Sequence, residues 1–260
     1  MLELINRLYA RFFSIGYLAR VNKVFLEMCL RARGYNNFRR NKESGHTFFI
    51  EKILAPSNPR ICIDIGANVG DYSLELLKKT RAQILAFEPV PTTFERLREN
   101  LSSYQNRIVI ENKGVGCANG ILSINYNPNA SAHASFSNEI KAIDYISNDF
   151  KVDVEVVTLD NYCASHGMTD IDFIKIDTEG FESEVFQGAA ETLKNIQPKF
   201  IEIEFNWHQL FKKTTLNYFS DQLPNYDVYQ LTFDNWIQRD PKDPLTNIYY
   251  FSNFIFVRKT

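Results

Sequence analysis

Residues 61–71 read ICIDIGANVGD. An apolar run carries one carboxylate, Asp64, near its end, and then Gly66 and Gly70 stand four apart with Asn68 between them. Such a run ending at a glycine predicts a buried strand, and DYSLELLKK (71–79) after it predicts a helix. Asp71 in the first turn and Lys78 and Lys79 in the last suit the helix macrodipole. The same alternation returns downstream. QILAFEP (83–89) reads as a second strand, TFERLRENL (93–101) as a helix with Phe94, Leu97 and Leu101 on one face, and RIVIENKGVG (107–116) as a third strand.

The rhythm breaks between residues 117 and 157. There GILSINYNP and VDVEVVTLD predict strands around a largely polar stretch from Asn127 to Asp149. DFIKIDTEG (172–180) restores it, Val185, Phe186, Ala189 and Leu193 mark a helix, and PKFIEIEF (198–205) is a fifth strand. YDVYQLTF and YYFSNFIFV read as two final antiparallel strands. Strands alternating with helices mean a mostly parallel α/β sheet, here of seven strands, covered on both faces. Ligands of such sheets lie at the carboxyl ends of the strands. Asp64 to Gly70, Glu88 and Asp177 therefore share one edge.

The glycine loop decides between two ligand classes. Glu88 follows Gly66 by 22 residues, and an acid there accepts from ribose hydroxyls in either class. A dinucleotide loop needs glycine where Asn68 and Asp71 stand, and both crowd a pyrophosphate. Asp64 adds negative charge at the strand tip, and two unit charges ~4 Å apart interact by about 4 kcal/mol at an effective dielectric of 20. That repels a diphosphate and attracts the ammonium and sulfonium of S-adenosylmethionine. A nicotinamide oxidoreductase is disfavoured accordingly. Asn68 has a second role open to it, as N-cap of the following helix.

Beyond the loop, AFEPVPTTFERLREN (86–100), VVTLDNY (156–162), DFIKIDTEGFESEVFQGA (172–189) and PKFIEIEFN (198–206) complete a series of blocks. With IDIGANVGDYS (63–73), and more weakly ESGHTFFIEKIL (43–54) and NFIFV (253–257), they resemble the FkbM family of S-adenosylmethionine-dependent methyltransferases, in its order. His46 departs from the acidic residue expected after the glycine of the upstream block. The resemblance implies a class I, Rossmann-like methyltransferase fold over 46–260 and a helical extension over 1–45. It also implies methyl transfer, most often to oxygen, with sugar hydroxyls prominent among the acceptors. Asp64, Gly66, Asn68, Gly70 and Glu88 would hold the cofactor. Asp177 would lie beside its methionine end, facing the acceptor.

Methylating a hydroxyl requires a base. Asp177 and Glu179 end a strand, and His208 follows the fifth strand with a side chain suited to proton transfer near neutrality. Glu202 and Glu204 share a side of their strand, with Glu204 nearer the edge and Glu202 placed to pair with a helix. His133, in the polar insert, belongs to a segment able to fold over the acceptor, whereas His166 reads as a loop residue. No compact metal-ligand cluster is legible, so no metal is expected. Alternative readings are O-methylation of another small-molecule or natural-product hydroxyl, and a non-catalytic S-adenosylmethionine-binding protein.

Residues 1–42 carry nine Lys/Arg against Glu3 and Glu27, leaving an acidic body that argues against nucleic-acid binding. Ile5, Leu8, Tyr9 and Phe12, then Leu18, Val21, Phe25 and Met28 beyond Gly16, predict two amphipathic helices. They are expected to pack on the domain or on a second copy in a homo-oligomer, with peripheral contact to an anionic membrane as the alternative. Cys29, Cys62, Cys117 and Cys163 lie far apart and read as reduced, mostly buried thiols of a cytoplasmic protein.

Overall fold

The computed structural model describes residues 1–35, 41–127, 134–136 and 149–259, so His133 lies outside the described residues. Two amphipathic helices come first, α1 (Leu2–Phe13) and α2 (Ala19–Ala32). Neither contains a fully buried residue, and the expected packing on the domain is seen at the end of α2, where Leu30 lies half-buried against the core. The chain joins the body just after them. Tyr35 is fully buried in the core and donates its hydroxyl to the Leu245 carbonyl. Short helices α3 (Asn41–Ser44) and α4 (His46–Phe48) then run into a π-helical turn, Phe49–Leu54.

The glycine-loop unit forms as predicted, with β1 (Ile61–Ile65), α5 (Asp71–Lys79), β2 (Gln83–Phe87) and α6 (Pro91–Asn100). The third predicted strand divides. β3 (Ile108–Glu111) stays in the main sheet, while β4 (Gly114–Val115) leaves it to pair with β6 (Phe150–Val157), which also pairs with β5 (Gly120–Tyr126). These three make a separate sheet, so the described strands of the irregular middle of the chain do not join the main one. After α7 (Leu159–Ser165) and β7 (Phe173–Ile176), the single helix expected around Val185–Leu193 is two, α8 (Glu182–Gly188) and α9 (Ala190–Asn195). The break falls beside a close approach of two backbones. A Cβ on Gly188 would stand 1.9 Å from the Gly116 carbonyl oxygen, so the backbones meet there.

β8 (Phe200–Phe205), α10 (Trp207–Lys212), α11 (Leu216–Asp221), β9 (Tyr226–Leu231), β10 (Trp236–Arg239) and β11 (Ser252–Arg258) complete the fold. The main sheet has eight strands rather than seven, in the order β10-β9-β11-β8-β7-β1-β2-β3. The five from β8 to β3 are parallel, and β11, β9 and β10 join them through antiparallel pairings, which leave β9 running in the same direction as β8. The extra strand is β10, a four-residue edge strand paired with β9.

Alternation along the strands divides the core. Ile63, Ile65, Ile174, Ile176, Ile201 and Ile203 face α7, α8 and α11. Cys62, Phe173 and Phe200 face α5, α6 and the π-helical turn. Cys62 and Cys163 are buried, whereas Cys29 and Cys117 are exposed, so the thiols are not mostly buried. No described helix is long and apolar enough to cross a membrane.

Candidate active site

Strand order reverses beside β1, whose neighbours are β2 and the much later β7. A cleft opens at their carboxyl ends, enclosing about 690 Å³ with its solvent mouth and lined by Gly66, Asn68, Glu88, Asp177, Thr178 and Glu179 among others. The glycine loop is pinned to β2, since Gly66 and Ala67 both donate to the Phe87 carbonyl. Gly66 has φ +82°, and a Cβ there would lie 1.8 Å from the Asp177 carbonyl oxygen. Only glycine lets β1 and β7 close up at their tips.

Glu88 closes one wall. It is 5% exposed, and its two carboxylate oxygens accept one backbone N–H each, Val90 at 2.9 Å and Asn68 at 3.0 Å. Burial pushes its carboxyl up to about 7, against those hydrogen bonds. Lone pairs remain on both oxygens for hydroxyl donors in the cleft. Asn68 is not the N-cap of α5. That position is Gly70, and Asn68 takes a left-handed φ of +49° inside the loop.

Two predicted cofactor residues lie behind the wall. Asp64 is fully buried, because strand alternation turns it away from Ile63 and Ile65 toward α5. It accepts from Ser73 Oγ at 2.7 Å and stands 3.9 Å from Lys175 Nζ. Burial outweighs these two partners and raises its carboxyl, and the acids that line the cleft are Glu88, Asp177 and Glu179. Gly70 abuts α6, where a Cβ would meet Leu97 Cδ1 at 2.6 Å.

Across the cleft, three carboxylates meet. Oxygens of Asp177, Glu179 and Glu204 all lie within 4.8 Å of one another. A compact set of acids is therefore present where none was legible, and such a set can share a proton or hold a cation. Lys175 Nζ donates to Asp177 at 2.8 Å. Burial, then the charges of Glu204, Asp177 and Glu182, raises the Glu179 carboxyl well above its usual range. Burial, then Asp177 and Glu182, does the same to Glu204. Glu179 also holds a left-handed φ of +53°, rare outside glycine.

His208 is 3% exposed rather than a surface loop residue, with Nδ1 3.3 Å from Glu179 Oε2. A capping box places it, as Asn206 accepts from the His208 N–H while Gln209 accepts from the Asn206 N–H. Sequence reasoning passed over the residues that hold this wall. Glu182 accepts from the backbone N–H groups of Thr178 and Gly180 and from Gln209 Nε2, and Asn206 Nδ2 donates to Glu204. A lysine within the apolar FIKI, and the N-x-x-Q spacing of 206–209, were the available signals. Of the polar insert, Ala134 and Phe136 line the cleft and Ser135 donates to the Glu179 carbonyl. His166 stacks on Tyr162 away from these groups.

A model of the methyltransferase FkbM domain matches residues 64–235. The chain belongs to the FkbM methyltransferase family. Its relatives include the 2-O-methyltransferase NoeI of Sinorhizobium fredii, 28% identical over 69% of this chain and 76% of NoeI. The methyltransferase sdnD of Sordaria araneosa is 32% identical over 52% of this chain and 62% of its own length. The hexuronic acid methyltransferase AglP of Haloferax volcanii is 26% identical over 54% of each chain. Among solved structures, the O-methyltransferase of Bacillus cereus in complex with SAH covers 99% of this chain and 97% of its own, with TM-score 0.49 and 10% identity. As a family member the chain is a methyltransferase, with the α/β sheet and carboxyl-edge cleft described above.

Proposed function

We propose that this methyltransferase uses S-adenosylmethionine to O-methylate a sugar hydroxyl on a glycan or glycoconjugate. The observation that carries the proposal is the group Asp177, Glu179 and Glu204, of which Asp177 and Glu179 line the same cleft as Glu88. S-adenosylmethionine, when bound, supplies a methyl group on a cationic sulfur. Glu88 would accept from the ribose hydroxyls, and Gly66, Asn68 and Asp177, which line the same cleft, would hold the rest of the cofactor, Asp177 at its methionine end. Asp64 and Gly70 act on the cofactor indirectly, through Lys175 and through the seating of α5.

Glu179 is the proton acceptor in this scheme. Burial, then the charges of Glu204 and Asp177, raises its proton affinity, the direction a general base requires. Transfer to the hydroxyl oxygen would break the carbon–sulfur bond and leave its electron pair on sulfur, so the chain's own part is to orient the hydroxyl and take its proton. The hydroxyl proton passes to Glu179. His208, behind Glu179, orients the carboxylate. Proton sharing among three acids needs no metal, so chelation should leave the rate unchanged.

The sugar class draws support from AglP, a hexuronic acid methyltransferase, and the oxygen acceptor from NoeI, a 2-O-methyltransferase. Free cysteines agree with a cytoplasmic location. The test is incubation with S-adenosylmethionine and a panel of hexoses, hexuronic acids and oligosaccharides, followed by mass spectrometry. A methyl ether with matching S-adenosylhomocysteine is the expected product. Turnover on non-sugar hydroxyls alone would replace the acceptor class, and cofactor binding without turnover on any acceptor would favour the non-catalytic reading.

A further inference from the structure

The N-terminal helices carry a surface that the methyl-transfer site does not use. Fifteen of the twenty-four exposed large apolar side chains among the described residues fall between Met1 and Met28. On α1, Leu4, Leu8 and Phe12 follow a spacing of four, with Ile5 beside them, while Glu3, Arg7 and Arg11 follow the same spacing on the opposite flank. The two helices form one hairpin. The Tyr9 hydroxyl donates to Asn22 Oδ1 at 2.7 Å, and Asn22 Nδ2 donates to the Phe13 carbonyl at 2.8 Å. Phe25 and Met28 of α2 are exposed beyond half of their surface. Contiguous apolar surface of this kind marks an interaction site.

Charge selects the occupant. Residues 1–35 hold six Lys/Arg against Glu3 and Glu27, a net charge of +4. Hairpin against hairpin in a second copy would bring +4 to +4. The body of a second copy is acidic, but its nine exposed large apolar side chains are dispersed from Val109 to Leu245. An anionic bilayer offers both partners at once, hydrocarbon for the apolar faces and negative headgroups for the arginines, whose stems lie along the interface. Neither helix is long and apolar enough to span it.

We propose that the α1–α2 hairpin lies in the surface of an anionic phospholipid membrane and holds the body there. The hairpin's root fixes the orientation. Ser252 Oγ donates to the Gly34 carbonyl and Arg239 Nη2 to the Arg33 carbonyl. Ser252 pairs with Phe205, the last residue of β8, so the root joins the body at the carboxyl edge of the parallel strands, where the cleft opens. Docking thus keeps the cleft mouth near the bilayer. The helical part of the 1–45 extension works in this proposal as an anchor, independently of which acceptor the cleft takes.

Flotation of the full chain with phosphatidylcholine vesicles, with and without phosphatidylglycerol, tests this. Binding should appear with phosphatidylglycerol and fall at least about tenfold in high salt, on neutral vesicles, or in the double reversal Arg7→Glu with Arg11→Glu. Leu8→Asp with Phe12→Asp should abolish it, and because both side chains are exposed, circular dichroism and thermal melting of the body should not move. Absence of flotation, equal flotation by either variant, or a dimer in light scattering that the Leu8 and Phe12 variant dissociates would each overturn the proposal.

Discussion

Glu202 and Glu204 stand two residues apart on one face of β8, yet they meet opposite surroundings. Glu202 is fully buried among partners, with the Tyr72 hydroxyl donating at 2.6 Å and His46 Nε2 lying 2.9 Å from its other oxygen. Glu204, nearer the carboxyl end, meets two further acids. In the first region charge is answered by donors from α4 and α5, and the result is a polar plug in the core. In the second, like charges are left together at a cleft mouth, which costs stability and raises proton affinity. Distance from the strand end separates a structural glutamate from a chemical one.

The sharpest way to break this comparison is Glu202→Ala. It strands His46 and Tyr72, and should destabilise the fold by about 3–5 kcal/mol, read by denaturant melts. If it lowers turnover with no loss of stability, Glu202 belongs to the site and the contrast fails. Glu179→Gly should do the opposite. It removes the proton acceptor and relieves the left-handed backbone, so turnover should fall about 10²–10³-fold while stability holds or rises by up to about 1 kcal/mol. A stability loss above 2 kcal/mol would make Glu179 structural.

Tyr72→Phe removes one donor from Glu202 and should cost about 1–2 kcal/mol in the same melts, with turnover per folded molecule unchanged. His46 sharpens the picture through pH. Burial acts to lower its pKa, but the Glu202 charge and hydrogen bond outweigh it, so the folded value is raised. A raised histidine contributes stability that is full below its unfolded value near 6.5 and lost as pH rises through the folded value. The cost of His46→Gln, about 1 kcal/mol at pH 6, should therefore shrink toward pH 9. A cost that grows with pH would mean His46 is held neutral.

Much of this was legible. GANVG, the acid at 88 and KIDTEG lie at one sheet edge as the alternation of elements required, and Glu202 does pair with a helix. Asp64 lies deeper than its position two residues before a glycine suggested. The two-residue period, with Ile63 and Ile65 on the opposite face, points it inward. The eighth strand was hidden by its brevity and by the polar Gln238 and Arg239 at an edge. The break at Gly188 falls beside Gly116, which is far away in sequence. The burial of His208 follows from a capping box whose spacing was readable, and the gathering of Asp177, Glu179 and Glu204 depends on how β7 lies against β8.

The most direct test of the central claim, that this cleft holds S-adenosylmethionine against Glu88, is a thermal shift with S-adenosylhomocysteine and NAD side by side. At 100 times its dissociation constant the former should stabilise the protein by about 2.7 kcal/mol, less so as pH falls below about 7, where Glu88 takes up its proton. Glu88→Gln should remove most of the shift and its pH dependence. A shift with NAD and none with S-adenosylhomocysteine, or one that Glu88→Gln leaves intact, would contradict the account.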